Sequence, residues 1–233
     1  MRKPIALFGF SALAALLVLG TALSGCQQLF TTSLAKPLAR DKIALPDTLT
    51  ANQAADLAQQ AKDNNDPTLA AAVVDTLVDQ VTDPSVQTEL AAAAASAAIT
   101  ASGTSAAVLG AFSEAMEGGT IDAAALLAEI QAGATADVLA ALSFLDPSSG
   151  IPDPSALEGT ELEATDYLIA AVIIAASVLP PGTDPETVPD WSVYQSTPQY
   201  ISAANILGEA ISLVEPGSTA YDLLDQLSSM FEI

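Results

Sequence analysis

The sequence predicts an all-α protein: an array or irregular bundle of about eight helices, solenoid-like in its succession of stacked helical hairpins. Three observations carry that expectation. Alanine, the strongest helix former, recurs through nearly every segment after residue 48, and no run alternates as a half-buried strand would. Leu, Val and Ile recur at three- and four-residue spacing, so they line one face of a helix. Asp66-Pro67, Asp83-Pro84 and Thr197-Pro198 each place a side-chain acceptor at the N-cap and a ring with preset φ at the first helical position.

The elements follow in order. After Asp66, the residues Leu69, Val73, Leu77 and Val81 form a stripe widened by Ala70 and Val74. After Asp83 come Val86, Leu90, Ala94, Ala97 and Ile99, and the tight Thr82-Asp83 turn makes the two helices an antiparallel hairpin. The run Ala91–Ala95 gives a smooth helix that a neighbouring backbone can approach closely. Gly103 ends it. Val108, Leu109, Phe112 and Met116 mark the next helix, which Gly118-Gly119 stops. Thr120 is the expected cap for Leu126, Leu127 and Ile130, with Gly133 as terminator. Thr135 caps a short helix carrying Val138, Leu139, Leu142 and Leu145.

Residues 146–160 read as a linker, with Asp146-Pro147, Asp153-Pro154 and two glycines. Thr160 and Glu163 have capping-box spacing. The helix they introduce holds Leu168, Ile169, Val172, Ile173, Ile174, Val178 and Leu179, apolar on nearly every face, so it is expected at the centre. Pro180-Pro181 closes it short of a membrane span. A Pro-rich stretch to residue 198 includes Asp184-Pro185, Trp191 and Tyr194. Two helices finish the chain: one with Ile201, Ala204, Leu207, Ile211 and Val214, stopped by Pro216-Gly217, and one with Tyr221, Leu224, Leu227 and Phe231. Residues 49–233 are expected as the helical domain, with 146–160 as the candidate subdivision.

Composition excludes several kinds of chemistry. The chain has 233 residues with 28 Asp or Glu, six Lys or Arg, no His and one Cys; its formal net charge is −22 and its mean hydropathy +0.42. Without His there is no imidazole base or ligand, and one Cys makes neither an internal disulfide nor an iron–sulfur site. Charged residues are 15% against an ordinary 25% or so, a deficit of bases rather than an excess of acids. The bases are Arg2, Lys3, Lys36, Arg40, Lys42 and Lys62, and none follows. Such a chain repels nucleic acid, so no nucleic-acid partner is expected.

Arg2 and Lys3 precede an uncharged apolar run from Ile5 to Leu23 that ends at Leu23-Ser24-Gly25-Cys26. The pattern is that of a secretory signal peptide. Its L-S-G-C end resembles the lipobox of bacterial lipoproteins, over residues 1–26 only. The resemblance implies that 1–25 is removed and that Cys26 becomes the first mature residue, carrying acyl chains such as palmitate. Several chains anchor firmly where one is marginal. Membrane lipid is then the expected partner, held through Cys26, with residues 26–48 as a tether. Gln27, in place of an Asp that would imply retention at the inner membrane, implies the outer membrane, facing the periplasm.

Candidate chemistry in the body is sparse. Asp63-Asn64-Asn65-Asp66 offers oxygens for a cation, but Pro67 follows where a calcium loop would continue, and a helix boundary is the expected role. Asp146, Asp153, Glu158, Glu161 and Glu163 could collect calcium loosely. A Ser or Thr nucleophile would need Lys36, Lys42 or Lys62 as its base, and none of these is set in a catalytic motif. Gly118-Gly119 lacks the Lys of a phosphate loop. No catalytic residue, metal site or cofactor is assigned. Trp191, Tyr194 and Tyr200 form either a recognition surface or a lid over one end of the stack. The expected role is a helical scaffold, assembly or binding component of the cell envelope, with an envelope protein as partner. The alternatives are a carboxylate-dependent envelope hydrolase, which needs converging Asp and Glu in a cleft, and the loose calcium binder.

Overall fold

Thr50 begins the helical body. Its hydroxyl accepts the Gln53 N–H at 3.4 Å, and Gln53 Oε1 accepts the Thr50 N–H at 3.0 Å, a reciprocal capping box that starts α1 (Ala51–Asn64). The computed structural model describes residues 43, 45–81, 88–116, 122–150, 162–183, 193–218, 221, 224 and 225. Among these there are eight α-helices and no strand, so the chain is an all-α helical array.

Asn65 and Asp66 close one helix and open the next. Asn65 takes the left-handed conformation (φ 47°), and its N–H bonds the last turn of α1. Asp66 Oδ1 then accepts the N–H groups of Thr68 and Leu69, both at 3.0 Å, at the start of α2 (Pro67–Gln80). The expected stripe Leu69, Ala70, Val73, Val74, Leu77 and Val81 is buried throughout. α3 (Thr88–Ser102) packs on both α1 and α2. Ala91–Ala95, Ala97 and Ala98 are all buried, so nearly the whole surface of α3 is covered by neighbours. The Thr82-Asp83 turn, Pro84 and Val86 lie outside the described residues.

Gly103, at φ +67°, turns the chain out of α3, and α4 (Ser105–Met116) follows. Val108 is buried and Phe112 packs on the core, but Leu109 is exposed, so the apolar face of α4 is narrower than its sequence suggests. The cap of α5 (Ala123–Gly133) is Asp122, whose carboxylate accepts the Ala125 N–H at 2.9 Å; Thr120, the expected cap, is outside the described residues. Thr135 caps α6 (Ala136–Leu142) as expected. Two 3-10 turns follow, Ser143–Leu145 and Pro147–Ser149, the second capped by Asp146.

α7 (Ala164–Val178) has Glu163 at its N-cap, three residues beyond the expected Thr160. From Asp166 to Leu179 no residue is exposed, as expected of a central helix. α7 packs chiefly on α8 (Pro198–Ser212) and also meets α3, α4, α5 and α6. Thr197 caps α8 by accepting the Tyr200 N–H at 3.3 Å. One expectation fails here: Ile201 is 48% exposed, while Tyr200, Ala203, Ile206, Leu207 and Ala210 make the buried face. The apolar pattern around Ile201 admits two faces, and packing against α7 selects the one richer in small residues. A turn with Gly217 at φ +83° leads to Tyr221, whose N–H donates to Ser218 Oγ, and Leu224 returns to the core. Among the described residues no single helix is long and apolar enough to cross a membrane.

Candidate functional site

In so apolar an interior, the described polar side chains that are buried stand out: Ser102, Thr104, Asp146, Asp166 and Ser202. Burying such groups is costly unless they are hydrogen-bonded or paired. Their partners therefore show what each one does.

Asp166 lies in the first turn of α7, where the helix dipole favours negative charge. Its Oδ2 accepts the Glu163 N–H at 3.0 Å and meets Lys62 Nζ at 3.4 Å. Lys62 is in the last turn of α1, the end that favours a cation, and is the only Lys or Arg among the described residues. Two complementary helix ends are thus joined by one ion pair across 104 positions of sequence. At the other end of α7, Gln131 Nε2 of α5 donates to the carbonyls of Ala176 (3.0 Å) and Leu179 (2.8 Å), where a helix leaves acceptors unpaired.

Asp146 forms a second centre. Its Oδ1 accepts the Ser148 N–H at 2.8 Å and Asn205 Nδ2 of α8 at 3.0 Å. Burial pushes its carboxyl up, but the Ser148 N–H and hydroxyl, the Ser202 hydroxyl and the Asn205 amide together hold it below the usual value of 3.8. Ser202 Oγ is itself buried and reaches full hydrogen-bond geometry with no described group, so its pull on the carboxylate is a weaker electrostatic one. Donors around a carboxylate stabilise the anion and make it a poor proton carrier, whereas a catalytic acid needs its pKa raised. Asp146 is suited to fastening α8 to the turn after α6. Ser102 and Thr104 share a hydroxyl–hydroxyl hydrogen bond of 2.9 Å, and Ser102 Oγ also donates to the Ile99 carbonyl at 2.6 Å, closing the corner between α3 and α4.

The residues singled out in the sequence separate clearly. Cys26, Trp191, Asp153, Glu158 and Glu161 lie outside the described residues. Tyr200 is 6% exposed, and Tyr194 is half-buried against the core, so neither ring stands free on the surface. The Asp63–Asp66 cluster is the helix boundary: Asp63 accepts from Gln59 Nε2, and Asp66 caps α2. No group of three or more acidic or thiol side chains suited to a metal occurs among the described residues. Lys62–Asp166, Gln131 and Asn205 were missed in the sequence, since each acts across a long interval. Only Asp146 carried a local sign, the proline after it. No protein-family model, no curated protein and no solved structure matches the chain.

Proposed function

We propose that the chain is a lipid-anchored protein of the bacterial cell envelope, with a helical body that serves as a scaffold, assembly or binding component. The observation that carries this reading is Leu23-Ser24-Gly25-Cys26 at the end of an apolar run that follows Arg2 and Lys3. Acylated Cys26 holds the protein to membrane lipid, and Gln27 favours the outer membrane on its periplasmic side. The body supports a non-catalytic role, because the buried carboxylates Asp146 and Asp166 act as joints between helices. After residue 48 the chain holds 26 Asp or Glu against Lys62 alone, which turns the body away from nucleic acid; an envelope protein is the partner of this reading.

Metabolic labelling with a palmitate analogue tests the anchor. The wild-type chain is expected to take up label and to sediment with membranes, and Cys26→Ala to lose both. Normal labelling of Cys26→Ala would refute the assignment. Crosslinking in intact envelopes with mass spectrometry then identifies the partner.

A further inference from the structure

The chain is gripped before its first helix begins. Leu49 donates its N–H to Gln80 Oε1 at 2.8 Å and accepts from Gln80 Nε2 through its carbonyl, also at 2.8 Å. A primary amide offers the donor and acceptor side by side that such a two-point match to a peptide requires. Gln80 is the last residue of α2, and 31 positions separate the partners. The Leu49 side chain is 4% exposed, and Leu45 packs on the core as well. The Thr50–Gln53 capping box follows at once.

The helix behind this grip buries only small side chains. The buried residues of α1 are Ala54, Ala58 and Ala61, with Leu57 only partly covered, so each turn contributes little more than a methyl group to the core. Without the clip, a pull on the chain before residue 43 would pass straight to the start of α1, and helix ends are the first parts of a fold to open.

We propose that the Gln80–Leu49 clip is a strain relief: it takes the pull of the membrane tether on α2 and keeps α1 from being peeled off the body. This rests on the anchored reading above. Because α2 buries Leu69, Val73, Val74 and Leu77, it is the firmer of the two helices to take the load.

The test uses the full acylated chain in phosphatidylethanolamine–phosphatidylglycerol vesicles, read by amide exchange and by sequencing fragments after brief nonspecific proteolysis. Gln80→Leu is expected to speed exchange at Leu49 about tenfold and to open cleavage sites within α1, with α7 and α8 unchanged. Gln80→Glu keeps the acceptor for the Leu49 N–H but loses the donor, and is expected to fall between the two. The proposal is overturned if Gln80→Leu leaves α1 as protected as in the wild type, loosens α7 and α8 equally, or opens α1 to the same extent in the unacylated Cys26→Ala chain free of vesicles, where no tether pulls. A wild-type chain that fails to attach to the vesicles overturns the anchored reading, and the strain relief with it. A chain that attaches but shows no Gln80 effect overturns the strain relief alone.

Discussion

Gly133 and Gly110 both sit within helices, yet a methyl group added to each would meet opposite surroundings. At Gly133 a Cβ would overlap the backbone carbonyl of Ser102, which cannot swing aside as a side chain could. Gly133 is thus needed for a close approach of α5 to the end of α3, a stronger role than the terminator the sequence suggested. Gly133→Ala is expected to lower stability by about 1–3 kcal/mol in urea unfolding. Gly110 and Gly208 face open space, so Gly110→Ala and Gly208→Ala should each raise stability by about 0.5–1 kcal/mol. Equal effects at the three positions would contradict the packing described. Asp146 gives a test in pH. Its folded pKa lies below 3.8, so its contribution is complete above that value and is lost as pH falls through the folded value. Melting temperature should drop in that acid window, and Asp146→Asn should flatten the drop.

Among the elements, what was legible in the sequence depended on how local the cause was. α2 could be read whole, because Asp66, Pro67 and the four-residue stripe act within a few positions of each other. The described N-caps are Asp122 and Glu163, where the sequence pointed to Thr120 and Thr160, because several cap-forming side chains lie within a few positions of each other. Thr50 and Gln53 carry capping-box spacing that a systematic scan for the pattern would find. The all-round apolar run of α7 marked it as central, but the buried face of α8 was selected by α7, and the ties from Lys62 and Gln131 to α7 span long intervals, so these had no local sign. The Gln131 bond can be weighed by mutation. Gln131→Leu removes the side-chain donor from the Leu179 carbonyl and leaves the Ala176 carbonyl only the long 3.4 Å bond from the Leu179 N–H; it is expected to cost about 1–2 kcal/mol, with exchange quickening first in the last turn of α7.

For the whole molecule, charge is the dominant condition. Each carboxylate of a chain at −22 is surrounded mostly by others, and Lys62 supplies the only described side-chain attraction against that repulsion. Raising sodium chloride from about 0.05 to 0.5 M should therefore raise the melting temperature, since screening relieves many repulsions and weakens one pair. Lys62 is 41% exposed, so Lys62→Met is expected to cost under about 1 kcal/mol, and less at high salt. A melting temperature that falls with salt would show that attraction dominates.

The alanine helix at the centre has a consequence for how the array finds a single arrangement. Helices normally settle their register by seating large side chains of one in the grooves of another. From Ala91 to Ala98 α3 offers almost no ridges, so between Leu90 and Ile99 few large side chains of its own mark a position along its axis. The polar joints then act as detents: Gln80 on Leu49, Lys62 on Asp166, Gln131 on the end of α7, and Asp146 on Asn205. Each is made only where its donor meets its acceptor, which marks a position along the helices it joins. The alanines let the helices come close, and a handful of amides and carboxylates decide where along each other they stop.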